Sequence, residues 1–492
     1  MLDQLPILQV IIPLLAAPLC LFLRKPRLVW MFTLIASAAC FMISVLLLQQ
    51  VASQGDILYS IGGWAGPLGI EYHIDELSAF VLLIITAMST IVLFAANTSI
   101  QKEIPENRQV FFYILYLLSL AGMLGIVATG DAFNVFVFLE ISSLSAYAMI
   151  ALGKDRRALW AAFQYLVMGT IGATFILIGI GLMYEMTGTL NMADLAERLP
   201  EVADTRTIFA AFAFFIVGVC LKLALFPLHM WLPNAYAFAP SMVTAFLAAT
   251  ATKVAVYLLI RFTYSIFGIS FSFTTLPLQE IFVALGLVGI FAASITAIYQ
   301  TNVKHMLAYS SVAQVGYMIV GYSIGTTVGL MATLLHLFNH ALMKGALFVA
   351  LGAVMYRVGG VQLSSLNGLG RQMPYTMAGI VAGGLSLIGV PLTVGFVSKW
   401  YLVQAALETG WWPVAVLVLL GSLLAVIYIW RIVEAAYFKE PAEGATPVKE
   451  APLTFLIPIW ILVGANIYFG IDTRFSVDAA RAASQSLFGI SL

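Results

Sequence analysis

Long apolar runs follow one another along the whole chain and are separated by short polar connections. Each run is close to the roughly 20 residues that an α-helix needs to cross the hydrocarbon core of a bilayer. Transmembrane β-strands instead alternate apolar and polar residues over about ten positions, so a β-barrel is excluded. The pattern predicts about fourteen membrane-spanning helices, with approximate limits 5–23, 28–51, 77–98, 110–129, 132–152, 160–186, 208–229, 241–264, 280–299, 305–323, 328–356, 375–407, 412–438 and 452–470.

The connections between these runs are short, so the helices are expected to pack as one membrane domain, 1–492, rather than as separate domains. The run at 375–407 contains Gly389 and Pro391, and it is long, so we predict that this helix is interrupted. The longest polar stretches are predicted to be loops and a tail, at 54–76, 191–206, 439–450 and from 472 onward.

Composition narrows the class of protein. The 492 residues are 62% hydrophobic and 9% charged, whereas a soluble domain carries about 25% charged residues. A soluble fold could not hide this much apolar surface, because soluble proteins keep polar residues outside. Soluble folds, secreted disulfide scaffolds, disordered chains and nucleic-acid binders are therefore excluded, and the predicted fold class is an all-α polytopic membrane protein.

Cofactor and metal chemistry is not indicated. Cys20, Cys40 and Cys220 lie in apolar runs and form no C-x-x-C pair, which argues against iron–sulfur, zinc and disulfide chemistry. The chain contains no P-loop and no G-x-G-x-x-G at a strand-to-helix junction, so we expect no nucleotide to bind. We predict no cofactor and no metal site.

The placement of the charges predicts the topology. Lys plus Arg and Asp plus Glu each total 23, so the net charge is uninformative. The stretch 7–23 has no basic segment before it, and we expect the first membrane helix there rather than a cleaved signal. If the first loop is cytoplasmic, thirteen basic loop residues lie on the cytoplasmic side and four on the opposite side, which places both termini outside the cytoplasm. The thirteen are Arg24, Lys25, Arg27, Lys102, Arg108, Lys154, Arg156, Arg157, Lys304, Arg357, Arg371, Lys439 and Lys449; the four are Arg198, Arg206, Arg474 and Arg481.

Arg261 and Arg431 lie near the ends of predicted spans and are left out of the topology count. Four lysines and one glutamate lie further inside predicted spans, and they are the informative charged residues. A charge at the bilayer centre costs about 2.5–3.5 kcal/mol even on insertion scales, so each is expected to have a role or a partner. A lysine near a helix end could instead extend to the interface or neutralise a structural carboxylate. The five are Glu140, Lys222, Lys253, Lys344 and Lys399.

Glu140 is the only acidic residue of the fifth span, and serines follow it. Lys222 precedes Pro227, which removes a backbone hydrogen bond and predicts a break or kink in the seventh span. A lysine at this position could hydrogen-bond the carbonyl groups that the break sets free, as in ion sites of transporters. A structural ion pair for Glu140 and an ordinary proline kink are the alternatives.

Three further features add titratable groups. His336, His340 and Lys344 recur at four-residue intervals and so lie on one face of a helix, with no acidic neighbour to suggest zinc. Small residues before Lys253 leave room for water or close packing, and a buried lysine is a candidate proton relay. Lys399 follows the second interrupted segment. Either histidine could instead be a hydrogen-bonded core residue, and His229 could relay protons or cap its helix.

Seven intramembrane titratable residues are therefore the candidate functional residues: Glu140, Lys222, Lys253, His336, His340, Lys344 and Lys399. A series of coupled titratable groups can pass protons stepwise through hydrated gaps.

Six segments carry a resemblance: FNVFVFLEISSLSAY, KLALFPLHMWLPNAYAFAPS, TKVAVYLLIR, NVKHMLAYSSVAQVGYM, HLFNHALMKGALF and GVPLTVGFVSKW. In this order they resemble the proton-antiporter membrane subunit family. That family comprises the large subunits of Mrp-type multisubunit cation/proton antiporters and the antiporter-like subunits of respiratory complex I (NADH:quinone oxidoreductase) and of membrane-bound hydrogenases. Length and layout look most like the D-type large subunit of the Mrp-type Na⁺/H⁺ antiporters.

The resemblance implies roles for these residues. In the family, a fifth-span glutamate and a lysine of the broken seventh span form the pair that modulates proton affinity; they match Glu140 and Lys222. The eighth-span relay lysine matches Lys253, and the twelfth-span lysine matches Lys399. The eleventh-span group matches His336, His340 and Lys344. Many members have Asp in a WLPDA motif, where this chain has Asn234, which puts a protonatable role of that loop in doubt.

The resemblance also implies two inverted five-helix repeats with broken helices, and a proton-antiporter core at 128–425. We expect a bacterial or archaeal inner (plasma) membrane protein whose partners are other membrane subunits, protons, Na⁺ or K⁺ and the lipid bilayer. Three functions stay open: a proton-translocating subunit of a monovalent cation/proton antiporter, a proton-pumping subunit of a redox-driven complex, and a scaffold whose charges only fix helix packing. Only the second would make the chain part of an enzyme.

Overall fold

The computed structural model describes residues 2–23, 25–441 and 447–490, and in these it is almost entirely helical. Arg24, residues 442–446 of the predicted loop at 439–450 and the last two residues of the predicted tail lie outside the described residues. Strands β1 (Ile57–Ser60) and β2 (Glu71–Ile74) form an antiparallel hairpin. The helices are α1 (Leu5–Leu19), α2 (Pro26–Gln54), α3 (Glu76–Glu103), α4 (Gln109–Ala128), α5 (Ala132–Ala151), α6 (Arg157–Thr187), α7 (Met192–Val202), α8 (Arg206–Leu223), α9 (Trp231–Phe238), α10 (Ser241–Ile260), α11 (Leu278–Tyr299), α12 (Val303–Ser323), α13 (Thr327–Val358), α14 (Leu369–Gln372), α15 (Pro374–Ile388), α16 (Val394–Glu408), α17 (Trp412–Val433), α18 (Leu453–Ile471) and α19 (Arg474–Leu487).

The predicted spans coincide with these helices. Twelve helical segments of the described chain are long and apolar enough to cross a membrane. The two remaining predictions, 305–323 and 375–407, coincide with α12 and with α15 followed by α16. The all-α polytopic fold class is therefore confirmed.

Both predicted interruptions are present. Helix α8 ends at Leu223, where Ala224 adopts a left-handed conformation with φ of 58°, and helix α9 begins at Trp231. Helix α15 ends at Ile388 and α16 begins at Val394, with Leu392 at φ of 70°. Residues other than glycine rarely adopt this backbone conformation, which costs about 1–3 kcal/mol per residue. The surrounding bundle must hold both breaks in place.

The two breaks occupy equivalent places in successive groups of five spans. The fourth span is broken in the group from α4 to α10 and again in the group from α11 to α17. An odd number of spans makes the second group start on the opposite side, as inverted repeats require. The first two helices of each group also approach closely at glycines. A Cβ atom on Gly122 would lie 2.7 Å from the Phe138 carbonyl oxygen, and one on Gly316 would lie 2.6 Å from the Gly286 carbonyl oxygen.

One end of the bundle carries regular structure that the sequence pattern did not predict. Residues of the hairpin, of α7 and of α19 line the same cavity there, and α19 packs against α3 and α13. The predicted loops at 54–76 and 191–206 and the predicted tail therefore contain strands or helices. The prediction was incomplete because four-residue strands and short polar helices produce no long apolar run.

A buried ion pair fixes this end to the bundle. The Asp75 carboxylate caps α3 by accepting from the Ser78 backbone N–H at 2.9 Å, and Arg261 Nη2 lies 2.7 Å from it. Both charged side chains are less than one-tenth exposed. Burial opposes ionisation of Asp75, but the charge of Arg261 outweighs burial and holds the pKa of Asp75 well below its usual range. Arg261, left out of the sequence-based topology as a residue near a helix end, is thus buried.

We predict that Asp75→Asn lowers the free energy of unfolding by about 3–5 kcal/mol, because the buried guanidinium loses its counter-charge. The measurement is thermal unfolding of the full chain in neutral detergent. Since the folded pKa is depressed, the stabilisation is present above the unfolded value of about 3.9 and is lost as the pH falls through the folded value. The control is Asp56→Asn, because the exposed pair of Asp56 with His73 is screened by solvent. Equal losses in the two variants would contradict the prediction.

Candidate functional site

Glu140 on α5 and Lys222 on α8 form the predicted pair. Lys222 Nζ lies 3.8 Å from Glu140 Oε1, donates to Ser143 Oγ at 2.9 Å and lies 3.5 Å from the Tyr147 hydroxyl. Spacings of three and four residues bring the three α5 side chains to one face of that helix. The Lys222 side chain is 6% exposed, whereas that of Glu140 is 24% exposed. The lysine is therefore enclosed, whereas the Glu140 side chain is partly exposed although its Oε1 is buried.

A cavity of about 40 Å³ adjoins Lys222 on the side facing α10. Ser142 and Tyr165 supply polar groups to its wall, and Ala251 and Val254 of α10 supply the opposite side. A water molecule needs about 10–15 Å³ of such space and two to four polar partners. The space between Lys222 and α10 can therefore hold hydrogen-bonded water, which proton transfer between these helices requires.

The break that follows Lys222 is stabilised without this lysine. The Leu221 carbonyl oxygen accepts a hydrogen bond from the Trp231 indole N–H at 2.9 Å, and the Cys220 carbonyl oxygen accepts from the Leu225 backbone N–H at 3.0 Å. The sequence-based idea that Lys222 bonds the freed carbonyl groups is therefore wrong. Its ammonium group is directed across to α5 instead.

Lys253 lies in the middle of α10 and is completely buried. Its ammonium group donates to the Ala248 carbonyl oxygen and lies 3.4 Å from Thr252 Oγ1. No carboxylate lies within 4.0 Å of it in the described part of the chain. A buried ammonium without a counter-ion is costly, which favours a group that loses and regains its proton.

His336 is held by polar side chains of two other helices. Its Nε2 lies 2.9 Å from Gln314 Oε1 on α12, and its Nδ1 lies 2.8 Å from Ser398 Oγ on α16. The amide oxygen of Gln314 only accepts, so Nε2 carries the hydrogen and Nδ1 accepts from Ser398 in the neutral ring. This arrangement orients the imidazole and links α12, α13 and α16.

His340 lies one turn further along α13, with its ring nearly parallel to that of His336 and the ring centroids 6.3 Å apart. Neither ring nitrogen of His340 has a hydrogen-bond partner among the described residues. Lys344 turns towards α12, where it donates to the Leu307 carbonyl oxygen at 2.8 Å and to the Ser310 hydroxyl. Of these three residues, His340 is therefore the one with both nitrogens free to exchange a proton.

Lys399 stabilises the second break. The last carbonyl groups of α15 have no partner within that helix. Lys399 Nζ donates to the Leu387 carbonyl oxygen at 3.0 Å and to the Ile388 carbonyl oxygen at 2.9 Å. It also lies 4.9 Å from the centre of the Tyr317 ring. A cation is favourable at a helix C-terminus, so Lys399 ties α16 to the end of α15.

The seven predicted residues lie on five helices: α5, α8, α10, α13 and α16. Helix α8 packs against α10, α10 against α13 and α13 against α16. The Lys222 side chain joins α8 to α5 through Glu140 and Ser143. Lys253 lies on α10, which packs against α13. His336 Nδ1 contacts Ser398, the residue next to Lys399 on α16. The candidate residues thus form one series through the interior of the bundle.

The residues that hydrogen-bond to this series were not predicted from the sequence. Each of these side chains lies on a different helix from the titratable residue that it contacts, so only the fold brings the two together. The side chains are those of Tyr147, Ser310, Gln314 and Ser398. Gln314 was the one detectable signal, because it is the single amide in α12. Lys304 was assigned to a loop but is 1% exposed in the first turn of α12.

His229 and Asn234 lie near the first break. The His229 ring stacks on Phe226 with centroids 5.2 Å apart, and its Nδ1 has no hydrogen-bond partner in the described ranges. Asn234 accepts at 3.2 Å from His305 Nε2 and donates at 2.8 Å to Gln164. Asn234 therefore bridges Gln164 and His305 through its amide group.

Comparison with protein families gives one match, over residues 129–426, to the family described as NADH:quinone oxidoreductase/Mrp antiporter, transmembrane. Two relatives illustrate its range. The chain is 42% identical to NADH-quinone oxidoreductase subunit N of Desulforudis audaxviator (strain MP104C), over 95% of this chain and 96% of that protein. It is 29% identical to the D-type Na(+)/H(+) antiporter subunit of Bacillus subtilis (strain 168), over 98% of this chain and 96% of that protein.

A solved structure has the same fold. A chain of the membrane-bound sulfane sulfur reductase (MBS), an archaeal respiratory membrane complex, superposes with a TM-score of 0.89 and 31% identity. The superposition covers 98% of this chain and 98% of that chain. With this coverage, the superposition extends over nearly all of this chain.

Proposed function

The chain belongs to the NADH:quinone oxidoreductase/Mrp antiporter transmembrane family, and from this membership we propose that it passes protons through the membrane as a subunit of a multisubunit monovalent cation (Na⁺ or K⁺)/proton antiporter. It is a polytopic transporter subunit of the cell membrane that works with other membrane subunits. We propose residues 128–425 as its proton-antiporter core.

The observation that carries this proposal is the buried series from Glu140 to Lys399. In the proposed pathway the pair of Glu140 and Lys222 controls proton uptake, since a charge on either side chain stabilises a charge on the other at 3.8 Å. Lys253 and the three α13 residues then relay the proton, and Lys399 releases it. Hydroxyl, amide and carbonyl groups that accompany the series can hydrogen-bond either protonation state.

The outer face of α5 has the properties of a contact surface for a partner subunit. Phe133, Val137 and Leu144 are exposed on the face that also carries the partly exposed Glu140 carboxylate. A carboxylate directed into lipid would be costly, whereas a neighbouring membrane subunit could cover it with a polar or basic group. We therefore propose that the partner packs against α5.

A second function is favoured because the chain is more similar in sequence to a relative with a different name. The identity of 42% to a relative named NADH-quinone oxidoreductase subunit N exceeds the 29% to the antiporter relative. In this alternative, the same series moves protons while other subunits carry out redox chemistry. The chain would then form part of a redox-driven translocase.

The composition of the native complex distinguishes the two. We expect affinity purification through this chain, followed by mass spectrometry, to recover small membrane subunits only. Addition of Na⁺ or K⁺ to vesicles containing that complex is expected to release an imposed pH gradient, followed with a pH-sensitive dye. Recovery of hydrophilic iron–sulfur or flavin subunits would favour the redox pump instead. Vesicles with neither cation-dependent nor redox-dependent proton movement would contradict both and favour the scaffold.

A further inference from the structure

A cavity of about 440 Å³ opens at the end of the bundle opposite the hairpin. Five chain segments meet there: the end of α3, the α5–α6 connection, the turn between α9 and α10, the start of α12 and the segment after α13. The excess of Lys and Arg predicts that this end faces the cytoplasm. The cavity lies where helices leave the membrane, and its volume is within the roughly 300–1,000 Å³ of small-molecule sites.

The lining of the cavity contains more basic than acidic residues. Its charged lining residues are Lys102, Lys154, Arg157, Lys304, Glu103 and Asp155. One carboxylate is paired with an arginine, and the other is held by neutral donors. Asp155 pairs with Arg157 at 2.7 Å, and Glu103 accepts from Ser99 Oγ at 2.6 Å and from the Ser241 backbone N–H at 2.9 Å. The charge that remains is that of the three lysines against the single negative charge of Glu103, so positive charge is in excess.

Each of these lysines has only a neutral acceptor. Lys154 Nζ donates to the Lys102 carbonyl oxygen at 2.8 Å, Lys304 Nζ donates to the Ala239 carbonyl oxygen at 3.1 Å, and Lys102 donates to the Tyr356 carbonyl oxygen. None of the three lies within 4.0 Å of a carboxylate in the ranges that the structure describes. Three ammonium groups thus share one cavity without a direct ion pair among the described residues, and Glu103 offsets only part of their charge.

Of the three lysines, Lys304 would be stabilised most by a bound anion. It is 1% exposed, so water does not screen its charge well. It also lies in the first turn of α12, where the helix dipole adds partial positive charge. An anion in the cavity would offset both unfavourable terms, and ammonium groups form short, strong hydrogen bonds to anionic oxygens.

We propose that this cavity binds a phosphate group, supplied by the headgroup of an anionic phospholipid or by free phosphate. Basic pockets between transmembrane helices at the cytoplasmic surface are suited to anionic lipid headgroups. A tetrahedral phosphate presents several oxygens and can accept from lysines on different segments at once. Binding there would join α3, α6, α12 and the end of α13 at one point.

The test uses the full chain in its purified complex, in neutral detergent after removal of lipid. The probes are phosphatidylglycerol in mixed micelles, phosphatidylcholine at the same concentration, and inorganic phosphate, with binding followed as a shift in the unfolding temperature. The variants are Lys154→Gln, Lys304→Gln and the charge-preserving Lys304→Arg. The matched control is Lys439→Gln, since Lys439 belongs to the same end of the bundle but pairs with Glu434 at 3.3 Å.

We expect phosphatidylglycerol to raise the unfolding temperature of the parent and of the Lys439→Gln control, with about tenfold weaker binding after Lys304→Gln and recovery in Lys304→Arg. The same pattern with inorganic phosphate alone would support the site with free phosphate as the source. If Lys304→Gln does not assemble, Lys154→Gln at the exposed rim must by itself weaken binding. Equal responses of the parent and the Lys154 and Lys304 variants to both anionic probes would overturn the proposal.

Discussion

Neutralising either member of the Glu140–Lys222 pair is expected to reduce cation/proton exchange by the intact complex at least about 100-fold, the usual contribution of a positioned proton-transfer group. The variants are Glu140→Gln and Lys222→Gln, which keep much of the side-chain volume. The two charged groups lie 3.8 Å apart, with Lys222 enclosed and also bonded to Ser143. Exchange is measured as cation-dependent release of a pH gradient in vesicles that contain equal amounts of complex.

The double variant separates a proton-transfer role from a structural one. Removing one partner of a buried pair leaves an uncompensated charge, and this alone costs about 3–5 kcal/mol of stability. The combined Glu140→Gln and Lys222→Gln variant has no such charge, so it is expected to assemble better than either single variant and still to lack exchange. Restored exchange in the double variant would show that the pair only fixes packing.

A matched change in the same helix controls for disturbance of α5. Ser145 Oγ donates to the Ile141 carbonyl oxygen of its own helix at 2.7 Å and has no partner in α8 among the residues described. Ser145→Ala is therefore expected to keep both assembly and exchange. Size-exclusion profiles of the complexes show whether a loss of exchange reflects a loss of assembly.

The features that the sequence predicted correctly are those with a local cause. A bilayer requires about 20 apolar residues per span, so hydropathy placed the helices. Pro227 and Pro391 remove backbone donors, so the two breaks were predictable from single residues. The four-residue spacing of the histidines and Lys344 fixed their common helix in the same way.

The features that the sequence did not predict depend on distant segments. Arg261 was treated as a residue near a helix end because nothing in its neighbourhood indicates Asp75, which lies 186 positions earlier. Lys304 was assigned to a loop because its position beside a polar connection hid its burial in α12. Lys222 was assigned to the freed carbonyl groups, which Trp231 and Leu225 in fact occupy. In each case the partner was found only when the helices packed.

The two lysines at the breaks show how the same local pattern leads to different contacts. Lys222 precedes its break and extends away from it to α5, whereas Lys399 follows its break and reaches back to the carbonyl groups of α15. A lysine within about two turns of a break was visible at both places in the sequence. The direction of its side chain was not, because that depends on which neighbouring helix offers an acceptor.

Replacing Lys399 by arginine is expected to preserve the fold and abolish exchange, while replacing it by methionine is expected to damage both. A guanidinium retains donors for the Leu387 and Ile388 carbonyl oxygens, so the break stays joined to α16. Methionine leaves two buried acceptors unpaired, at about 1–3 kcal/mol each. Arginine does not release its proton in proteins, so a relay through this position stops.

The comparison of the two Lys399 variants tests whether this residue must deprotonate. Thermal unfolding is expected to be close to the parent for Lys399→Arg and clearly lower for Lys399→Met, with exchange reduced about 100-fold or more in both. Lys439→Arg, which keeps the exposed pair with Glu434, controls for the substitution itself. A Lys399→Arg complex that exchanged cations for protons at the parent rate would show that a permanent cation suffices here. Lys399 would then stabilise the broken helix without carrying protons.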